Sequence, residues 1–245
     1  METLKTNNNP VEKKFHPASE RGHVNFGWLD SHHSFSFGHW YHPEKTNFGA
    51  LRVLNDDIVE PSMGFGTHPH QNMEIISIPL FGELAHKDST GTNGIIRTGD
   101  VQIMSAGSGI QHSEFNHSSE KKVNFLQVWI LPKVGGIQPR YAQKTFSEAG
   151  RVNRFQTVVS PIDEEAVWIN QDAYFSLATL EPGKELSYSV HAPGQGIFTF
   201  LISGKLKVED TVLERRDAVG YSGKENYKFH AEVKSELLVI EVPMK

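Results

Sequence analysis

Residues 66–88 read GTHPHQNMEIISIPLFGELAHKD, and the order of residue types in this stretch decides the fold class. Two runs of strand character, residues 73–80 and 82–88, meet at the small turn Phe81-Gly82-Glu83. Short runs joined by a glycine turn are typical of antiparallel strands. The stretch therefore predicts a β-hairpin directly after a pair of histidines.

The same pattern recurs along the chain, whereas few windows repeat apolar residues at helical spacing. The further candidate strands are residues 34–37, 50–55, 101–105, 124–131, 174–180, 196–203, 205–208 and 236–242. A second glycine turn, Ser203-Gly204-Lys205, matches the first one in position within its half. The pattern predicts an all-β protein built from two related units in tandem.

The stretch between the two halves, residues 132–170, is mixed in character and rich in Gly, Pro and Ser. We expect the domain connection there. Pro161 precedes Asp163, Glu164 and Glu165, and proline followed by acidic residues favours a first helical turn. The sequence therefore predicts one short helix near residues 161–166.

The composition excludes several classes of function. The chain has 245 residues, no cysteine and a formal net charge of -5 at pH 7. Its basic residues are scattered, which argues against a surface that follows nucleic-acid phosphates. The lack of cysteine excludes disulfides and thiolate metal sites. With a polar N-terminus and no long apolar stretch, we expect a soluble, cytoplasmic protein without nucleic-acid or membrane partners.

Two short clusters of possible metal ligands stand out, His68-Pro69-His70 and His112-Ser113-Glu114. Residues two apart on a strand share a face, so each cluster can direct two side chains at one ion. Proline lacks a backbone donor and belongs at an edge or a strand end, where an open site needs its ligands. The clusters predict one metal site with three imidazoles and one carboxylate.

Two glutamates compete for the fourth ligand position. Glu74 shares a face with His70 on a continuous strand, and Glu114 shares a face with His112. Spacing alone leaves this choice open. In the second half, His191 and His230 stand apart from any His-x-His pattern, so we expect no second metal site there.

The adjacent residues His32 and His33 face opposite sides of a strand, so at most one could join the metal site. We expect a packing or surface role for both. Phe35, Phe37 and Trp40 are expected to belong to a core or to the cover of the first unit.

The clusters and their flanking glycines resemble the two motifs of the cupin superfamily. The first motif is represented by His68, His70, Glu74 and Gly82, and the second by Gly99, Gly107, Gly109, His112 and Asn116, with Ser105 in place of a proline. More specifically, residues 66–70 and 105–114 resemble pirin and its bacterial relatives. Residues 21–23, 27–31, 127–130 and 138–141 are similar to the short bacterial pirin-like bicupins with quercetinase activity. The resemblance covers most of residues 20–145 and is weaker after residue 150.

This resemblance implies a bicupin, which is two double-stranded β-helix (jelly-roll) barrels in tandem. It implies an N-terminal metal-binding cupin domain, residues 1–140, and a degenerate, metal-free C-terminal cupin domain, residues 141–245. The metal ligands that it implies are His68, His70, His112 and Glu114. Because pirins take the glutamate two residues after the second-motif histidine, it favours Glu114 over Glu74.

The resemblance also implies an activity, a metal-dependent dioxygenase that cleaves a flavonol such as quercetin and releases carbon monoxide. Glu114 would be the catalytic base, and the partners would be dioxygen and an aromatic or enolic small molecule. The nitrogen and oxygen ligands fit Fe(II), with Mn, Co, Ni, Cu or Zn as alternatives. The alternative functions are a metal- or redox-dependent regulatory binding protein and a dioxygenase of another enolic or aromatic substrate. Single-domain cupins often pair their barrels by forming dimers. This chain already contains two fused barrels, so we expect a monomer.

Overall fold

A computed structural model describes residues 10–245 of the chain. Nearly all of its regular structure is strand, and the two helical elements in this part of the chain are short 3-10 turns, Ala18–Glu20 and Glu148–Arg151. No helix among the described residues is long and apolar enough to cross a membrane. The predicted all-β class is confirmed.

The first half contains strands of four to nine residues. They are β1 (Glu12–His16), β2 (Gly22–Asn25), β3 (Leu29–His33), β4 (Leu51–Val59), β5 (Gly64–His70), β6 (Glu74–Phe81), β7 (Glu83–Asp88), β8 (Asn93–Arg97), β9 (Asp100–Ser105), β10 (Ile110–Asn116), β11 (Val123–Ile130) and β12 (Arg140–Thr145). The two strands predicted for residues 73–80 and 82–88 are β6 and β7, and the glycine between them has a left-handed conformation. The predicted hairpin is wrong, because β6 pairs with β9 and β11 whereas β7 pairs with β8 and β10 in the other sheet.

The second half repeats this organisation with shorter strands. They are β13 (Gln156–Ser160), β14 (Val167–Trp168), β15 (Tyr174–Leu180), β16 (Glu185–Ser189), β17 (Gln195–Ser203), β18 (Leu206–Val208), β19 (Thr211–Leu213), β20 (Ala218–Ser222), β21 (Asn226–Ala231) and β22 (Ser235–Pro243).

Each half combines a seven-stranded sheet with a four-stranded sheet. In the first half the orders are β12-β9-β6-β11-β4-β3-β2 and β5-β10-β7-β8. In the second half they are β1-β20-β17-β22-β15-β13-β14 and β16-β21-β18-β19. The small sheets have the same order of equivalent strands, so the two halves are related barrels. This arrangement confirms the predicted tandem fold.

The three main cores lie within and between the barrels. Leu84 and Phe125 belong to the apolar core inside the first barrel, and Tyr227 and Phe229 to the core of the second. The largest core lies between the two seven-stranded sheets, where Leu126 of β11 and Phe198 of β17 are both fully buried. Burial of this apolar area holds the barrels against each other.

An ionic contact crosses the same boundary. Asp56 of β4 accepts a 2.8 Å contact from Nε of Arg216, which precedes β20, and a 3.5 Å contact from Arg21. Asn124 completes the group by donating to Asp56 and accepting from Arg216. All of these side chains are largely buried, so the group forms a desolvated tie between the barrels.

The order of the strands in the sequence does not divide cleanly between the two barrels. β1, from the N-terminal end of the described chain, pairs antiparallel with β20 of the second barrel. β12, which begins at Arg140, pairs with β9 of the first barrel. The predicted division at residue 140 therefore falls at the start of a strand of the first barrel, and residues 1–9 of its N-terminal unit lie outside the described residues. The division itself stays a prediction.

Two further local predictions were wrong. Residues 34–37 form no strand, because Ser34 donates its amide to Leu54 and the chain then turns back, with Phe37 bridging to Trp40. Residues 161–166 form no helix. The Ser160 hydroxyl accepts the amides of Ile162 and Asp163, as a helix N-cap would. The chain then makes a single turn, closed by the Ala166 amide on the Asp163 carbonyl, before β14 begins at Val167.

Candidate metal centre

His68 and His70 lie on β5, the edge strand of the four-stranded sheet. Pro69 between them is exposed on the opposite face, as expected for a proline in an edge strand. The centroids of the two imidazole rings are 4.8 Å apart. Nδ1 of His68 lies 2.7 Å from the carbonyl oxygen of Gly66, so it carries the proton and Nε2 remains as a lone-pair donor.

His112 joins this pair from the neighbouring strand β10. It stands directly opposite His68 in the register, with ring centroids at 4.5 Å from His68 and 4.9 Å from His70. Alternation along β10 buries His112, Glu114 and Asn116 on one face. Asn116 donates its amide to three backbone carbonyls and therefore fixes the end of the strand.

The three imidazoles offer nitrogen atoms that all lie within 4.8 Å of one another. Nε2 of His70 and both ring nitrogens of His112 are buried without a hydrogen-bond partner, which is costly unless another ligand satisfies them. Burial lowers the pKa of His70 to about 4 and that of His112 to about 3. The rings of His70 and His112 are therefore neutral at pH 7, the form that binds a metal. The set of three imidazoles fits a divalent transition ion.

Glu114 lies on the inner side of His112. A register shift in the pairing with β5 places Glu114 opposite Phe65, beyond the ordinary two-residue step from His112. Its Oε1 accepts from the Ser77 hydroxyl at 3.0 Å and its Oε2 from the Gln127 amide at 2.7 Å. Burial raises the pKa of this carboxyl, since the charged form loses its hydration.

A fourth imidazole, His86 on β7, completes the buried group. One nitrogen of His86, one of His112 and a carboxylate oxygen of Glu114 lie within 4.8 Å of one another. Nε2 of His86 lies 3.0 Å from Oδ2 of Asp88, whose other oxygen accepts from both the amide and the hydroxyl of Thr90. Nδ1 of His86 is buried without a partner. His112 is thus shared by an outer group of three imidazoles and an inner group with Glu114.

Two family models match this chain. The model described as Pirin covers residues 14–130, and the model described as Quercetinase C-terminal cupin domain covers residues 157–242. A protein of Escherichia coli strain K12 named Quercetin 2,3-dioxygenase is 37% identical over 227 residues, which are 92% of this chain and 96% of that protein. The chain belongs to the pirin family. The resemblance noted in the sequence is confirmed.

Other members of the pirin family agree with this assignment. A pirin-like protein of Caulobacter vibrioides is 37% identical over 92% of this chain and 97% of its own length. The crystal structure of the bacterial pirin YhhW from Escherichia coli, in complex with nickel(II), has a TM-score of 0.89 and 36% identity. It covers 95% of this chain and 99% of that chain, so the similarity extends through both barrels.

In this pirin-family chain Glu74, the other candidate for the fourth metal ligand, forms hydrogen bonds away from the three imidazoles. Its Oε2 accepts from the Ser105 hydroxyl at 2.7 Å and from the backbone amide of Asn170 at 3.2 Å. Asn170 belongs to the second half, so Glu74 ties the first barrel to the connection between them. None of the groups of possible metal ligands found within residues 10–245 includes Glu74.

Aromatic side chains cover the inner wall of this pirin centre. Trp129 meets His70 edge-on at 5.0 Å, and Phe37 meets Trp129 edge-on at 5.3 Å. Tyr141 lies 4.8 Å from His86 between ring centroids, and burial raises its pKa. Phe37 therefore has the predicted covering role, whereas Phe35 lies in the core between the barrels.

None of the other histidines within residues 10–245 belongs to the ligand groups that share His112. His33 is buried and bonds to Ser31, whereas His32 is half-buried on the other face of the same strand. In the second half, His191 contacts the buried carboxylate of Glu241 through its backbone amide and its ring. The ligand groups found within residues 10–245 all lie in the first half.

His86 is the site residue that the sequence analysis missed. The signal was present, because period two along the predicted strand of residues 82–88 places Leu84, His86 and Asp88 on one face. A histidine and an aspartate that share the face of a buried leucine point into the barrel.

Proposed function

We propose that the chain is a metal-dependent dioxygenase that cleaves a flavonol such as quercetin and releases carbon monoxide. The observation that carries this proposal is the group of three imidazoles beside the buried carboxylate of Glu114. The relative from Escherichia coli named Quercetin 2,3-dioxygenase supports the reaction and its two substrates, dioxygen and the small aromatic molecule.

His68, His70, His112 and Glu114 would hold one divalent ion. The unpartnered nitrogens of His70 and His112 support this, because an ion would satisfy them. We propose Fe(II), with Mn, Co, Ni, Cu or Zn as alternatives for the same nitrogen and oxygen ligands. The structure of a pirin with nickel(II) supports a metal as the family's cofactor.

When bound, the ion would act as a Lewis acid that lowers the pKa of the substrate's enolic hydroxyl. Glu114 would accept the proton that this hydroxyl releases. Ser77 and Gln127 each donate to one oxygen of Glu114 and so fix the plane of its carboxylate. Burial, which raises the pKa of Glu114, strengthens it as a base, whereas a bound cation weakens it. Proton transfer therefore requires the carboxylate to loosen from the ion.

The aromatic wall would position the substrate and exclude water. The side chain of Trp129 packs against His70, and that of Phe37 against Trp129. A flat polycyclic substrate gains favourable contact area with such rings. Exclusion of water strengthens the electrostatic interactions of Glu114 with the reacting hydroxyl.

The test compares two buried glutamates. Glu114→Gln is expected to retain part of the bound metal and to lose turnover of quercetin, measured as oxygen uptake and carbon monoxide release. The matched control is Glu74→Gln, which alters a buried glutamate that bonds only Ser105 and Asn170. Unchanged turnover in Glu114→Gln, or an equal loss in both variants, would contradict the assigned role.

A further inference from the structure

A second group of possible metal ligands lies on the hairpin of β2 and β3. His23 on β2 and His32 on β3 stand directly opposite each other in the register, and Asp30 is two residues before His32 on the same face. One ligand atom from each of the three side chains lies within 4.8 Å of the others. Two imidazoles and one carboxylate therefore converge on one face of a two-stranded ribbon.

The carboxylate of Asp30 is the meeting point of this group. Its Oδ1 lies 2.7 Å from Nε2 of His23 and 3.8 Å from Nδ1 of His32. The two rings stack with centroids 4.4 Å apart and an interplanar angle of 16°. The distance between opposite residues of a β-ribbon allows both side chains to reach one ion.

The group is accessible from solvent. The side chains of His23, Asp30 and His32 are 52%, 40% and 35% exposed. Partial burial and the nearby guanidinium of Arg21 lower the pKa of His32. The charge of Arg21 is offset by its contact with Asp56.

This group lies on the opposite side of the sheet from the candidate metal centre. His32 stands opposite Asp56 in the register and so shares the face of the ionic tie to the second barrel. Gln127, which binds Glu114, stands opposite Asn55 and therefore faces the inside of the first barrel. An ion on the hairpin would share no ligand with the centre of His68, His70 and His112.

We propose that His23, Asp30 and His32 form a second metal site, which takes a zinc-class divalent ion such as Zn²⁺. Imidazole and carboxylate suit this class of ion, and water completes its coordination at an exposed position. Because the stacked rings do not share a plane, one ring rotates about its Cβ–Cγ bond on binding. The side chain of His23 is half-exposed, and this rotation would replace its 2.7 Å contact with Asp30 by a bond to the ion.

A bound ion would bridge β2 to β3. β2 is the edge strand of its sheet and pairs with β3 only. The bridge would therefore hold this edge strand to β3. An ion that binds the folded hairpin only also raises the free energy of unfolding with ion concentration. The site therefore stabilises the exposed edge of the first barrel.

The test is equilibrium dialysis of the full chain against Zn²⁺. The double variant His23→Gln/His32→Gln is expected to bind one ion fewer than the wild type. The control is His39→Gln, an exposed histidine outside the group, which should bind as many ions as the wild type. Equal binding by the wild type and the double variant overturns the proposal.

A second measurement locates the ion in a variant that lacks two ligands of the candidate metal centre. In the variant His68→Gln/His112→Gln, substoichiometric Cu²⁺ should broaden the amide resonances of β2 and β3 selectively. Uniform broadening, or none at these strands, overturns the proposal. Both outcomes are independent of whether the chain turns over a flavonol.

Discussion

The side-chain amide of Gln127 donates a 2.7 Å hydrogen bond to Oε2 of Glu114, and the two residues lie on facing sheets of the first barrel. The Ser77 hydroxyl also lies 3.1 Å from Oε1 of Gln127, so its single proton is shared between Gln127 and Glu114. The orientation of Glu114 is therefore set by the seven-stranded sheet, not only by its own strand.

Gln127→Leu is expected to weaken metal binding, because it removes the donor that orients one oxygen of Glu114. Partners of this kind change metal affinity by about 10- to 100-fold. Competition with a chelator measures the dissociation constant. The control is Gln111→Leu, since Gln111 points outwards from the strand that carries His112 and Glu114. Equal affinity of the two variants would argue that Gln127 only fills space.

Asp88→Asn is expected to weaken metal binding through His86. The carboxylate of Asp88 fixes the proton of His86 on Nε2 and leaves Nδ1 as a lone pair beside His112 and Glu114. An amide can instead donate to Nε2 and so move the ring proton to Nδ1. We expect a loss of about 10- to 100-fold in affinity, measured by chelator competition. Thr90→Val, which removes one donor to Asp88, should have a smaller effect, and the reverse order would refute this role.

Asp56→Asn is expected to lower the free energy of unfolding by about 3–5 kcal/mol, because it leaves two largely buried guanidiniums without a charged partner. These are the side chains of Arg21 and Arg216. Urea denaturation measures the change. The control is Asp172→Asn, which breaks an exposed pair with Lys133 and should cost less than about 1 kcal/mol. A loss no larger than that of the control would show that the tie contributes little.

His16→Leu is expected to reduce the acid sensitivity of the fold. His16 is buried between Phe35 and Phe198, both of its nitrogens lack partners, and burial lowers its pKa from 6.5 to about 4. Folding therefore favours the neutral ring, whose stabilising contribution is complete above pH 6.5 and is lost as the pH falls towards 4. The shift corresponds to roughly 3 kcal/mol.

Thermal unfolding between pH 7 and pH 4 measures this contribution. The stability of His16→Leu should fall less steeply than that of the wild type across this interval. His39→Leu, which alters an exposed ring, should follow the wild-type curve. Parallel curves for the wild type and His16→Leu would show that the buried ring does not titrate in this range.

The fold class could be predicted because short runs of strand composition, such as residues 73–80 and 82–88, are closed by turn residues. The imidazoles could be predicted because His68 and His70 are two residues apart and share a face of a strand, as His112 and Glu114 do. Their convergence depends on the pairing of β5 with β10, which places His68 opposite His112. The sequence suggested this pairing through the resemblance, not through spacing alone.

The errors have local physical causes. Residues 34–37 have strand-like composition, but their backbone groups bond to a turn and to Leu54 instead of a regular ladder. The hydroxyl of Ser160 caps two amides as at a helix start, but β14 begins at Val167 and leaves room for one turn only. The inner group with His86 required knowledge of which strand lies beside β10, and no local pattern gives strand order. The domain division, the monomeric state, the cytoplasmic location and the ligand set stay predictions.

The exchange of β1 into the second barrel has a consequence for synthesis. Phe15 of β1 pairs with Val219 of β20. During translation β1 is therefore made long before the strand with which it pairs. Domains generally fold from the N-terminal end while the chain is made, and distant pairings form slowly. The first barrel can close once β12 has emerged, whereas β1 stays unpaired until β20 has been made. A translation product that stops before β20 would carry this strand as a free edge, open to pairing with another chain.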